Sequence, residues 1–191
     1  MNTNSTPPDA PESAATSAAK PKRRPRPPVD LGAAVLEAFA TNERMNQFLL
    51  EHLDKKAWRA EPPGGKGRTI AAIVAHVHNV RHMWLAVSAN EDEAPPKVER
   101  DKVTLAQARK ALAASAKAMR GLLERAIENG GRVKDFRPDV VGFLAYVVAH
   151  EAHHRGQIAL LARQTGFPLP ENAGYGLWDW AARWKDCGFD R

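Results

Sequence analysis

Six of the seven histidines in this 191-residue chain fall in two clusters. The neutral imidazole of histidine is a favoured ligand for transition-metal ions. The first cluster to consider is Tyr146-Val147-Val148-Ala149-His150-Glu151-Ala152-His153-His154-Arg155-Gly156-Gln157. Read as a helix, it puts Phe143, Val147, His150, His154, Ile158 and Leu161 on one face about 80° wide. His150 and His154 are four residues apart, so their rings lie one turn apart and can address one ion. They also lie within the stripe that must face a core, where two neutral imidazoles are costly unless their nitrogens are satisfied. His153 lies on the flank of that stripe.

The second cluster is His76, His78 and His82, in Ala75-His76-Val77-His78-Asn79-Val80-Arg81-His82-Met83-Trp84. The helical apolar face here is Ile73, Val77, Val80, Trp84 and Val87. His76 borders it on the side of Met83. His78 and His82, beside Arg81, fall on the opposite face and are expected to point into solvent. His76 is therefore the core-directed member. A same-face pair and a third imidazole from another helix favour a metal site over three core histidines bonded to carbonyls or to one another. Three histidine ligands leave coordination positions open, as a catalytic site requires.

His150-Glu151-Ala152-His153-His154 also fits the H-E-x-x-H pattern of zinc proteases, with Glu151 as general base. That reading lacks a third ligand. No histidine follows His154, Glu171 is a poor substitute, and the sheet that forms a protease cleft is missing. Glu151 has a plainer role as the partner of Arg155 in a helical ion pair four residues apart.

The elements that must position these residues read as helices throughout, since no run alternates at period two. The first spans about 30–54, with Asp30 as N-cap and Leu31, Val35, Phe39, Met45 and Leu49 as its buried stripe. Pro62-Pro63-Gly64-Gly65 and Gly67 break the chain. Thr69 caps a second helix over about 70–88, and Thr104 opens a third that runs to about 128. A fourth covers about Pro138 to Thr165, with Pro138 at the first helical position and Gly166 as its stop. A short last helix covers Leu177 to Lys185. Four long helices make an all-α four-helix bundle. The long connection 89–103 suits a crossover, hence up-down-down-up order, and the short one after the third helix predicts antiparallel neighbours.

Composition narrows the class. The hydrophobic fraction is 43% and the aromatic fraction 7%, so aliphatic residues supply most of the core. No run approaches the roughly 20 apolar residues of a membrane span. A single cysteine, Cys187, rules out an intrachain disulfide and any thiolate-rich zinc site, and suits a reducing cytoplasm. The net charge is +6, of which +3 comes from residues 1–29, with five basic residues against Asp9 and Glu12. That segment holds seven of the 14 prolines and reads as a disordered tail. The bundle, 30–191, has no strong footprint for a phosphate backbone, which leaves nucleic-acid binding to the tail.

The stretch from His150 through Ile158, followed by Leu161 and Gly166, resembles the fourth-helix motif of the DinB/YfiT-like family. His76, with Trp84 and Leu85 a little over two turns later, resembles that family's second-helix ligand. The resemblance covers about 30–170 in order and spacing. It implies an up-down-down-up bundle with a divalent metal held by His76, His150 and His154. Members are similar to thiol S-transferases and mycothiol-dependent isomerases, and the family suits homodimers.

These readings together predict a metal-dependent enzyme that acts on a small molecule, such as a low-molecular-weight thiol, by thiol transfer or hydrolysis. Zinc or nickel leads the metals, with iron, cobalt or manganese as alternatives. His153 and Glu151 are the candidates for proton transfer, and Gln157 for orienting a ligand imidazole. The rival class is a metal-binding or metal-sensing bundle without catalysis. The Tyr175–Trp180 segment either covers the bundle mouth or packs as ordinary helix.

Overall fold

Side-chain caps decide where the helices begin. Asp30, Thr69, Thr104 and Asp139 sit in extended backbone, and each accepts a hydrogen bond from the amide three residues on. Each cap satisfies one of the donors that a helix start leaves free. They open α1 (Leu31–Glu51), α2 (Ile70–Ser88), α3 (Leu105–Glu128) and α4 (Val140–Gln164). At α3 the Gln107 side chain returns a bond to the Thr104 amide, completing a capping box. Two short helices follow, α5 (Glu171–Gly176) and α6 (Trp180–Asp186). The computed structural model describes residues 28–89 and 94–190, and these contain no strand. The expected tail, 1–29, lies outside the described residues except for Pro28 and Val29.

Some expected boundaries move, for local reasons. α1 stops at Glu51 because Asp54 caps a separate 3₁₀ turn, Lys55–Arg59. Pro138 precedes α4 instead of opening it, because Asp139 takes the N-cap. The last helix begins at Trp180 instead of Leu177 because Asp179 takes the N-cap and accepts from the Ala182 amide, and α5 precedes it as a separate turn that the sequence reading did not include. Leu31, expected in the buried stripe, is exposed at the start of α1, whereas Val35, Phe39, Met45 and Leu49 are buried.

Two apolar clusters fix the topology. Leu49, Ile73, Leu112 and Ile158 meet at one end of the bundle. Phe39, Leu85, Leu123 and Phe143 meet at the other. The chain therefore runs up through α1, down through α2 and α3, and up through α4. α1 and α2 each pack against both α3 and α4 and stand on opposite corners. α3 and α4 are antiparallel but meet only sparsely, so they are not the close neighbours that their short connection suggested. Residues 129–139, at roughly 3.3 Å each, are chain enough to reach the diagonal corner.

The crossover between α2 and α3 returns along α2 and is held by that helix's polar face. His82 Nδ1 is 2.8 Å from the Pro95 carbonyl, and His78 Nε2 is 2.9 Å from that of Pro96. Asn79 donates to the Val98 carbonyl and accepts from its amide. His78 is buried and His82 half-buried, so neither points into solvent as expected. The crossover supplies the acceptors that make their burial tolerable.

Arg81 moves inward for a similar reason. Its Nε and Nη2 donate to the two oxygens of Glu151 at 2.7 and 2.8 Å, and Nη2 also reaches Glu43 at 2.7 Å. Nη1 donates to the Leu112 carbonyl. Hence Val74, Val77, His78, Arg81 and Leu85 form the buried side of α2, while Val87 of the expected apolar face is exposed. In Tyr175–Trp180 the side chains of Tyr175 and Trp178 stay largely exposed, and the segment approaches α1 closely at Gly176. A Cβ at Gly176 would stand 2.6 Å from Phe48 Cζ, so only glycine permits that approach. α6 then anchors to α1 through Trp184–Glu37 and Arg44–Asp186.

Candidate metal centre

α2 and α4 lie side by side and antiparallel, which brings His76 level with His150 and His154. His150 Nε2 is 3.3 Å from His76 Nε2 and 3.2 Å from His154 Nε2. One nitrogen from each ring lies within 4.8 Å of the others. Nitrogens about 2.0–2.1 Å from a common ion stand roughly 3.0–3.4 Å apart, so the spacing suits a shared cation. His154 is buried, and His76 and His150 are half-buried, so the cluster opens on one side to solvent. Val77, Val147 and Ile158 are buried beside it.

The proton inventory favours a cation over mutual hydrogen bonding. Gln157 lies one turn past His153 on α4, and its amide nitrogen bonds His153 Nε2 at 2.9 Å. Its carbonyl oxygen therefore accepts from His154 Nδ1 at 2.8 Å. In that tautomer the His154 Nε2 of a neutral ring carries a lone pair. A single proton on His150 Nε2 can serve one neighbouring nitrogen, not both. Three lone pairs directed at one cation remove the conflict.

Electrostatics keep those lone pairs free. Burial, then the charges of His154, Arg68 and His150, pushes His76 down to about 4 from its ordinary 6.5. Burial is also the main cause that lowers His150 and His154. All three are neutral at neutral pH, the form that ligates metal.

The surroundings include residues that motif spacing did not reveal. Tyr146 stacks on His150 with an interplanar angle of 15°, and the edge of Trp84 meets Tyr146, Phe143 and Phe136. The buried Trp84 Nε1 has no hydrogen-bond partner. Gln157 also borders a cavity of about 480 Å³, whose far wall is the Pro62–Arg68 loop carrying Lys66 and Arg68. The 3₁₀ turns Lys55–Arg59 and Pro63–Gly65 and the glycines around that loop gave no sequence signal for this placement.

Glu151 does not join the histidines. It is buried on the inner side of α4, and besides Arg81 it accepts from Asn42 at 2.6 Å and Asn46 at 2.7 Å. Burial would raise its pKa, but the Arg81 guanidinium overrides this and holds the carboxyl below its ordinary value. With both oxygens engaged, Glu151 is not placed as a general base at the cluster. Its expected ion pair with Arg155 is also absent: Arg155 Nη1 donates instead to the amide oxygens of Asn42 and Asn46. The sequence reading missed Asn42 and Asn46; their place four residues apart on the core side of α1 is the signal that could have found them. His153 is exposed and touches the cluster through Gln157 and an edge-on contact with His154.

No helix among the described residues is long and apolar enough to cross a membrane. No curated protein and no solved structure matches the chain. A family model described as DinB family matches residues 29–186, a span that takes in the four long helices and all three clustered histidines. By that match, the chain belongs to the DinB family.

Proposed function

We propose that the chain is a metal-dependent enzyme that acts on a small molecule by thiol S-transfer or hydrolysis. His76, His150 and His154 would hold the ion, with zinc or nickel as its leading identities and iron, cobalt or manganese as alternatives. The observation that carries this reading is the convergence of three neutral imidazole nitrogens at 3.2–3.3 Å around His150, on a face open to solvent. A bound divalent ion would supply Lewis acidity, favouring the ionised form of a thiol or water near neutral pH. Gln157 fixes the His154 tautomer by accepting its Nδ1 proton, which keeps Nε2 directed into the cluster. Lys66 and Arg68 give the adjoining cavity a positive wall suited to an anionic substrate. His153 would carry a proton to or from solvent, a role supported by its exposed ring and its link to Gln157.

The inward turn of Glu151 favours a second reading, in which the bundle binds or senses metal without catalysis. Metal-loaded protein screened with small thiols and electrophiles separates the two. Turnover that depends on added metal and disappears in His154→Ala is the expected result. Metal binding without turnover across the panel would move the assignment to the second reading.

A further inference from the structure

A second cavity, of about 730 Å³, lies on the other side of α4, between that helix, Met45 of α1 and the chain from Pro168 to Trp180. At roughly 100° per residue, its α4 wall of Ala152, Gly156, Ala159 and Arg163 faces almost opposite to His150 and His154. The volume falls in the range of small-molecule sites, and the walls are mostly apolar.

Three observations point to the chemistry of an occupant. Arg155 borders the cavity, and its only hydrogen bonds among the described residues run from Nη1 to Asn42 and Asn46. No carboxylate pairs directly with it, since Glu151 and Glu43 are taken by Arg81. Its Nε and Nη2 are not sealed away from solvent either, because among the described residues the one buried side-chain atom without a partner is Trp84 Nε1. Arg163, about two turns beyond Gly156 on α4, adds a second cation at the rim. On the apolar side, the large rings of Trp178 and Trp180 border the cavity and are 87% and 41% exposed. Gly156 interrupts the middle of α4, where alanine would be the better helix former, and nothing lies within 4 Å of where its Cβ would stand. Gly174 on the facing wall is equally unobstructed.

We propose that this cavity binds a small amphipathic acid, with its carboxylate on Arg155, its apolar body between Gly156, Ala159, Leu177 and Trp178, and Arg163 at the rim adding positive potential. The two arginines outweigh Glu171, the one carboxylate on the wall, and select the anion, and the glycine on each wall leaves room for the chain or ring. This site is independent of the histidine cluster and requires no metal.

Calorimetric titration of the full chain with octanoate and with 1-octanol tests it. Octanoate should bind one per chain, about tenfold or more tighter than the alcohol, since only the acid forms charge-assisted bonds to guanidinium. Arg155 also holds Asn42 and Asn46, so variants elsewhere provide the cleaner test. Gly156→Leu fills the cavity without a clash at Cβ and should abolish octanoate binding, with melting temperature and metal content unchanged or higher. Arg163→Gln, at the exposed rim, should weaken octanoate but not octanol. Equal affinity for acid and alcohol, no binding of either, or full binding by Gly156→Leu would overturn the proposal. A concentration-dependent dimer lost in Gly156→Leu, in protein that does not bind octanoate, would assign the groove to a second copy of the chain and overturn it as well.

Discussion

Glu151 and His150 are neighbours in sequence, yet they belong to polar clusters of opposite kinds. The inner cluster, Arg81 with Glu151, Glu43, Asn42 and Asn46, is closed. Both Glu151 oxygens and all three Arg81 nitrogens have partners at 2.6–3.1 Å. The outer cluster, His76 with His150 and His154, is open: three nitrogens converge with too few protons to join them. A closed polar cluster fixes how helices sit against one another, whereas an open one asks for a ligand. The same pair of helices, α2 and α4, carries both, so the inner cluster sets the register that brings the outer one together.

The largest effect should come from opening the closed cluster. Glu151→Ala leaves the Arg81 charge buried without its main partner and should cost about 3–5 kcal/mol, read from urea unfolding. A loss below about 1 kcal/mol would mean that the inner cluster is not what holds α2 to α4. His78→Ala removes the buried imidazole that anchors the crossover at Pro96 and should cost about 1–3 kcal/mol while leaving metal binding intact. Loss of metal in that variant would erase the distinction between histidines of the architecture and histidines of the site.

Effects on the open cluster should appear in affinity more than in folding. Gln157→Leu removes the acceptor that fixes His154 and should weaken metal binding about 10–100-fold. The unfolding free energy of the metal-free protein should stay within about 0.5 kcal/mol of the parent value. The smallest effect is on pH dependence. The folded chain holds His76 at about 4 against an ordinary 6.5. Between those values the unfolded chain takes up a proton that the folded one refuses, so metal-free stability falls as pH drops from 6.5 towards 4. Burial of His78, His150 and His154 acts in the same direction. His76→Ala should therefore flatten, but not abolish, the decline of the unfolding midpoint between pH 7.5 and 5. An unchanged slope would show that His76 is not held neutral.

The sequence carried the open cluster further than the closed one. Spacing put His150 and His154 on one face, caps at Asp30, Thr69 and Thr104 located three of the four long helices, and the length of 89–103 implied the crossover. The face of α2 was misjudged because hydrophobic periodicity counts Arg81 and His78 as polar and turns them outward. Their burial depends on partners that are distant in sequence: Glu151 and Glu43 for Arg81, and Ser115 and the Pro96 carbonyl for His78. Asn42 and Asn46, at helical spacing on the core side of α1, could have signalled such a partner, but a reading of apolar periodicity passes over them. The Lys66–Arg68 wall depends on how a glycine-rich loop folds back, which periodicity does not address.

Metal stoichiometry across the histidine variants tests the central claim most directly. Protein incubated with zinc or nickel and then dialysed should retain close to one ion per chain by elemental analysis. Retention should persist in the double variant His78→Ala, His82→Ala and be lost in His76→Ala, His150→Ala and His154→Ala. Full retention in both His150→Ala and His154→Ala, or a metal-free double variant beside a loaded His76→Ala, would contradict the assignment of the open cluster as the metal centre.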